Sequence, residues 1–283
     1  MKLISFRRNG AAGFGATDGR DVIDLTGRIG QAADLRGLLE IDGIERARAY
    51  CASAPADFSL SDCTLLPVVP NPSKVICLAI NYKAHAIESG RDLPKQPVVF
   101  HRHAASLTAH NAPLIRPEVS DWLDWEGELA VVIGKGGGHI EPADALDHVA
   151  GYTCFNEASI RDWQRHSHLY GMGKNFRGTG AVGPWMVTAD EIPDPAKLVL
   201  RTLLNGKEVQ HAGLDDLIFG IPELISYVSR ALDWQPGDLL VTGTPEGVGG
   251  AMKPPRWLAP GDIIEVDISH IGTLTNSVAD EVS

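Results

Sequence analysis

An acidic run, Asp124-Trp125-Glu126-Gly127-Glu128, leads straight into the apolar stretch 129–133. Residues two apart on a strand face the same side, with Cα atoms roughly 6–7 Å apart. Glu126 and Glu128 can therefore converge on one point. Two acids placed this way suit a hard divalent cation, because carboxylate oxygens are the natural ligands of Mg, Mn or Ca. The plainer alternative is a solvated strand end with both acids in water. A third acid, Glu157, closes the apolar run 149–154 and precedes a helical pattern. It can complete a three-carboxylate site. Arg161 and Gln164, three apart on that helix, share a face that can meet a carboxylate and a carbonyl. Arg161 beside Asp162 is equally readable as a surface ion-pair cluster. His85 and Glu88 stand three apart in a short helical segment. A carboxylate beside an imidazole orients it and raises its basicity, as general-base chemistry requires, although such pairs are also common on surfaces.

Other signals lead nowhere. Residues 178–183 match GxGxxG, but Pro184 follows and the pattern continues as strand, so no helix N-terminus is offered to a pyrophosphate. The Gly171-Met172-Gly173-Lys174-Asn175 segment lacks the Ser or Thr of a phosphate loop. His101/His103 and His166/His168 have same-face strand spacing without a nearby third ligand. No GxSxG elbow is present.

These residues need a scaffold, and the chain predicts a strand-rich one. Strands are predicted at 75–79, 98–100, 129–133, 149–154, 185–187, 198–204, 239–241 and 263–268. Asn205-Gly206 marks a hairpin, because both turn positions favour positive φ. Pro236-Gly237-Asp238 and Pro260-Gly261-Asp262 suit tight turns. Helices are predicted at 84–89, 159–166 and 222–232, with Ser159 and Asp162 as a capping box. Ahead of them, residues 1–66 read as a small α+β unit, with strands at 2–6 and 22–25 and helical spacing over 33–52. Three prolines within 67–72 favour extended backbone and mark a boundary, leaving 67–283 as the main domain. The absence of regular β-α-β alternation disfavours a doubly wound fold. The expected fold class is β-rich α+β, a roll or sandwich core with peripheral helices.

The 283 residues carry 36 Asp+Glu against 25 Lys+Arg, a formal net charge of −11. That balance argues against nucleic acid or an anionic membrane as partner. A small anionic substrate remains compatible if the site is locally positive. The N-terminus shows no apolar signal region, and no stretch reaches the roughly 18 apolar residues of a membrane span. A cytoplasmic location is expected. Cys51, Cys63, Cys77 and Cys154 form no CxxC or zinc spacing and are read as buried thiols.

From Lys74 onward the motifs together resemble the fumarylacetoacetate hydrolase family. They comprise Asn81-Tyr82 with His85 and Glu88, Pro97–Phe100, Glu126-Gly127-Glu128 with its apolar continuation, Arg161-Asp162-Trp163-Gln164, Gly173-Lys174-Asn175-Phe176, and Thr242-Gly243-Thr244-Pro245. The resemblance implies a C-terminal β-roll, a smaller N-terminal domain and a homodimer. It implies one Mg²⁺ or Mn²⁺ per subunit held by Glu126, Glu128 and Glu157, the last replacing the more usual Asp. It places His85 and Glu88 on a lid that orders over substrate, and makes Lys174 the active-site lysine. It makes Arg161, Gln164 and Thr244 substrate contacts. Arg102, where many relatives carry Lys, is expected beside them with altered hydrogen-bonding geometry.

The chemistry implied is that of a small anionic keto acid. The metal would chelate a 2,4-diketo acid of the acylpyruvate or fumarylpyruvate kind, and His85 would activate a water that attacks the distal carbonyl. Carbon–carbon cleavage would leave an enolate held by the metal and Lys174. This hydrolase is the leading expectation. A 2-keto acid decarboxylase or keto–enol isomerase, which needs no attacking water, is the second. A metal-binding family member without catalysis is the third.

Overall fold

Strand Gly127–Ile133 lies at the centre of the molecule, every residue of it buried. In the computed structural model, which describes residues 1–282, it pairs antiparallel with Val149–Glu157 on one side and with Leu239–Val241 on the other. These strands belong to a 12-stranded sheet. A five-stranded sheet, containing Lys207–Gly213, Val199–Leu204, Ile263–Ile268, Gly272–Asp280 and Leu114–Arg116, packs on it. The fold is β-rich α+β with few, short helices.

Alternation along the central strand assigns its two faces. Leu129, Val131 and Ile133 join a core cluster with Leu200, Ile264, Val266 and Leu274 of the second sheet. Ala130 and Val132 point the other way, into a cluster with Leu3, Phe14, Leu35 and Leu38. Glu126 and Glu128 share that second parity, as Glu157 shares the parity of Phe155 on the neighbouring strand. Gly127, between the two glutamates, faces the second sheet. A Cβ there would lie 2.1 Å from Thr202 Oγ1, so only glycine lets the sheets approach this closely.

Residues 1–66 carry their own strands and helices, and their sheet is continuous with the main one. Lys2 and Leu3 pair with Val187 and Met186, and Leu3, Phe14, Leu35 and Leu38 share a core with Val75, Val132 and Val241. The helix expected over 33–52 is two helices, Leu35–Glu40 and Ile44–Cys51. Asp42 takes a positive φ of 50°, and Gly43 N–H donates back to the Leu38 carbonyl, which closes the first helix. The helix expected over 159–166 shrinks to Arg161–Gln164. Ser159 and Ile160 instead pair with Asp124 and Leu123. The Ser159 hydroxyl donates to the Glu157 carbonyl rather than capping a helix.

Strands 75–79, 239–241 and 263–268 fall where the pattern put them. The Asn205-Gly206 turn has both φ angles positive, 51° and 77°, as a tight hairpin requires. All four cysteines are free thiols. Cys77 and Cys154 are buried, while Cys51 and Cys63 are only half-buried, contrary to expectation. No helix among the described residues is long and apolar enough to cross a membrane.

Candidate active site

The antiparallel register brings the three acids together. Gly127 pairs with Asn156, and Glu157 N–H donates to the Glu126 carbonyl at 2.8 Å, so Glu126 and Glu157 are cross-strand neighbours. Glu128 lies one same-face step along. The three residues are 5%, 1% and 0% exposed for Glu126, Glu128 and Glu157. One carboxylate oxygen from each lies within 4.8 Å of the others. Like charges directly opposite on a sheet repel, and burial strengthens the repulsion.

Three cations answer part of this charge. Lys174 Nζ lies 2.5 Å from Glu126 Oε2 and 3.2 Å from Glu157 Oε2. Arg161 Nη1 donates to Glu126 Oε1 at 2.5 Å and to Gln164 Oε1 at 3.0 Å. Arg102 Nε donates to Glu157 Oε1 at 3.1 Å. Burial works against the charged form of Glu126, but Arg161 and Lys174 outweigh it and hold the carboxyl down at about 2. Lys174 is also destabilised by burial, yet Glu126 and Glu157 raise it above its ordinary value, so it stays an ammonium.

Glu128 makes no ion pair with these three cations, and the attraction of Lys174 does not offset its burial. Its hydrogen bond comes from Gly243 N–H at 2.5 Å, made possible by a backbone φ of +97° at that glycine. Burial first, then repulsion from Glu157 and Glu126, pushes its carboxyl well above the ordinary range. The trio is thus short of positive charge at Glu128. An all-oxygen donor set with unbalanced negative charge fits a hard divalent cation.

The wall of an open cavity of about 560 Å³ includes Glu126, Glu128, Arg161, Gln164, Lys174 and Thr244. His85 and Glu88 stand on the same wall. Glu88 Oε2 holds His85 Nδ1 at 3.1 Å, while its Oε1 accepts from Gly247 N–H at 2.9 Å. One carboxylate therefore orients the imidazole and ties helix Lys83–Glu88 to the turn after Thr244. With Nδ1 engaged by Glu88, Nε2 is the ring nitrogen left for proton exchange. The Thr244 hydroxyl donates to the Gly127 carbonyl and accepts from Gln210 Nε2, both at 2.9 Å.

Arg102 is placed differently from the expectation. It is buried off the cavity wall and fully engaged, donating to Glu157, to the Ala158 carbonyl at 2.5 Å, to Ser106 Oγ at 3.3 Å and to Thr179 Oγ1 at 3.1 Å. It anchors Glu157 from behind rather than touching what enters the cavity.

Asp124 received no role from the sequence, although it sits two residues before Glu126 in the same run. It is fully buried on the short strand Leu123–Asp124. Its Oδ2 accepts from Arg161 Nε at 2.7 Å and Gly250 N at 2.9 Å, and its Oδ1 from Gly249 N at 2.7 Å and Trp125 N at 2.9 Å. Arg161 Nη2 is buried with no hydrogen-bond partner among the described residues. Asp124 and Glu126 thus fix a guanidinium that keeps one donor group uncommitted. Gln210, reaching Gly127 N–H at 2.9 Å from the second sheet, was also missed. An acceptor repeating at period two, Asp124-x-Glu126-x-Glu128, was the available signal for Asp124; Gln210 had none.

This site geometry coincides with a family match. The fumarylacetoacetate (FAA) hydrolase C-terminal model matches residues 74–279. The chain belongs to the fumarylacetoacetate hydrolase family. Within it, the chain is 36% identical to oxaloacetate tautomerase fahd2, mitochondrial, of Xenopus laevis, over 98% of this chain and 90% of that protein. It is 42% identical to oxaloacetate tautomerase YisK of Bacillus subtilis, over 78% of this chain and 75% of that protein. The maleylpyruvate hydrolase of Sphingobium sp. SYK-6, solved with manganese and pyruvate, superposes with a TM-score of 0.83 at 28% identity over 100% of both chains. The fumarylacetoacetate hydrolase family fold therefore carries both isomerase and hydrolase relatives of this chain.

Proposed function

We propose that the protein is a keto–enol isomerase of a 2-keto acid, dependent on Mg²⁺ or Mn²⁺ held by Glu126, Glu128 and Glu157. The observation that carries it is His85, hydrogen-bonded through Nδ1 to Glu88, on a wall that also bears Glu126, Glu128 and Lys174. Relatives over most of the chain that are named oxaloacetate tautomerases favour proton transfer as the reaction. A bound divalent cation supplies Lewis-acid polarisation of the keto oxygen.

The chain's own residues do the rest. Arg161 and Gln164, both on the cavity wall, bind the carboxylate next to the keto group. His85 Nε2 takes a proton from C3. Lys174, an ammonium on the same wall, offsets the negative charge that develops on the C2 oxygen. His85 then returns a proton to that oxygen, so the net change is one proton moved and one double bond shifted. Glu88 keeps the imidazole in the reactive tautomer throughout.

A second reading, hydrolysis of the carbon–carbon bond of an acylpyruvate, is favoured by the maleylpyruvate hydrolase likeness and by a cavity roomy enough for a water beside the substrate. The test is a pair of assays on the purified, cation-loaded protein. One follows the ketonisation of enol-oxaloacetate; the other follows pyruvate release from acylpyruvates. The proposal expects the first to be fast and lost in His85→Ala, and the second to be slow. Rapid pyruvate release with uncatalysed ketonisation would replace the first reading by the second.

A further inference from the structure

The turn 243–247 touches both halves of the site through its backbone. Gly243 N–H holds Glu128, while Gly247 N–H holds Glu88, which in turn holds His85. The Gly243 end is fastened to the central strand, because Thr242 N and Oγ1 both donate to the Leu129 carbonyl, at 3.0 and 3.1 Å. At the Gly247 end, Trp125 Nε1 donates to the Gly247 carbonyl at 3.1 Å. The carbonyls just before it are held by Gln210, whose Nε2 donates to Pro245 at 3.0 Å and lies 3.4 Å from Glu246. The same amide donates to Thr244 Oγ1 at 2.9 Å.

Gln210 reaches this turn because its strand is irregular. Where Val199–Leu204 pairs with Lys207–Gly213, Thr202 faces Gln210 but Leu203 faces Glu208, so Val209 is an extra residue. Gln210 and Ala212 are buried, whereas Glu208, which strict alternation would put on their face, is exposed. A β-bulge of this kind re-aims a side chain. The turn also lands on the bulge. A Cβ on Gly247 would lie 1.9 Å from the Val209 carbonyl oxygen, at a φ of +96° that itself favours glycine. Gln210 is 2% exposed and off the cavity wall, and its oxygen accepts from Gly127 N–H, between Glu126 and Glu128. One side chain thus spans from the carboxylate strand to the turn that holds Glu88.

We propose that Gln210 is a positioning residue for the base: by tying turn 243–247 to Gly127, it sets where Gly247 N–H meets Glu88, and so how Glu88 holds His85 relative to the carboxylate trio. Gln210 acts through Glu88 and touches neither substrate nor cation. In a buried chain of hydrogen bonds each member fixes and polarises the next. The inference rests on the reading of His85 as the base of a proton transfer.

The test uses the full chain as wild type, Gln210→Met, Glu88→Ala and the double variant. Methionine keeps the volume of glutamine and removes both polar edges. In the cation-loaded protein, Gln210→Met is expected to lower kcat for ketonisation of enol-oxaloacetate about tenfold, with KM within about twofold. In the Glu88→Ala background the same substitution should change kcat less than about twofold, because its route to His85 is already cut. Calorimetric titration with Mn²⁺ should show a loss of affinity well short of the about 10–100-fold expected of a lost ligand support, since the Gly243 end is fastened separately. A readout free of substrate and cation is the ¹⁵N shift of the His85 ring nitrogens, which reports the tautomer. In Gln210→Met it should move towards its position in Glu88→Ala. Gln210→Glu keeps the acceptor for Gly127 N–H but sets an acceptor against the Pro245 carbonyl; it should act in the same direction, and it replaces Gln210→Met if that variant does not fold. Additive losses of kcat in the double variant, an unmoved His85 resonance, or a loss confined to KM or to cation affinity overturns the proposal. If no form catalyses ketonisation but the His85 resonance moves as expected, the positioning role stands and the isomerase reading alone falls. Fast ketonisation with an unmoved resonance overturns the positioning role alone.

Discussion

Replacing Asp124 by Asn removes one buried charge and reverses half of its hydrogen-bonding face. Asp124 accepts four bonds, from Arg161 Nε, Gly250 N, Gly249 N and Trp125 N. An amide keeps one oxygen, so two of those donors meet an NH₂ group instead. Breaking a buried ion pair by removing one partner costs about 3–5 kcal/mol. Arg161 keeps its bond to Glu126, which places the expectation at the lower end, about 3 kcal/mol. For 283 residues at about 2.1 cal/mol/K per residue, the unfolding entropy is about 0.6 kcal/mol/K, and the fall in Tm is about 5 °C. The functional effect is on binding more than on turnover. Arg161, freed from one of its two anchors, loses its fixed orientation on the cavity wall, and KM for a keto acid should rise about tenfold while kcat changes less. Scanning calorimetry of the cation-free protein and steady-state kinetics of the loaded protein read the two effects. A Tm within 1 °C of wild type together with an unchanged KM would refute the role given to Asp124. Recovery of neither quantity in Asp124→Glu is expected, since the extra methylene cannot fit a site closed by Gly249 and Gly250 backbone.

The remaining perturbations test other parts of the site. Glu128 is protonated in the folded protein above its ordinary value of 4.5, so between that value and the raised one the folded state holds more protons than the unfolded state. Stability of the cation-free protein therefore falls as pH rises through that window, and a divalent cation removes the penalty by replacing the proton. The rise in Tm on adding Mn²⁺ should be larger at pH 8 than at pH 5; a rise that shrinks with pH contradicts the charge deficit at Glu128. Arg102→Lys keeps a charge but cannot span Glu157, Ala158, Ser106 and Thr179, so calorimetric titration should show cation affinity weakened about 10–100-fold. His85→Ala should lower kcat by about 10²–10⁴ with Tm little changed, because its hydrogen bond to Glu88 is at the cavity edge. Gly127→Ala drives a methyl to within 2.1 Å of Thr202 Oγ1, and should cost about 1–3 kcal/mol or more in chemical denaturation.

Much of the inner site is readable from spacing because a strand has period two. Glu126 and Glu128 share a face by that rule, and Glu157 joins them because an apolar run ends on it. The resemblance put Arg102 among the substrate contacts, and the structure moves it off the cavity wall. Phe100 and Arg102 have one parity, and Phe100 does reach the cavity, but two residues on the chain passes behind Glu157 and its guanidinium is consumed there. That outcome depends on where another strand's side chain stops, which local pattern does not encode. The short helix at Arg161–Gln164 was overestimated because the competing partner of Ser159 and Ile160, the pair Leu123–Asp124, is distant in sequence. Strand Ala11–Thr17 was hidden by its Ala and Gly content, which reads as turn, although it pairs with Lys2–Arg8 along its whole length.

The most direct test of the central claim is the ketonisation rate of enol-oxaloacetate, measured on chelator-stripped protein as Mn²⁺ is added back. The carboxylate trio and the His85–Glu88 pair predict a rate near the uncatalysed one without cation, saturating at one Mn²⁺ per chain, and abolished in Glu128→Gln and His85→Ala. A stripped protein that catalyses as fast as the loaded one, or a Glu128→Gln variant that responds to Mn²⁺ like wild type, would contradict it.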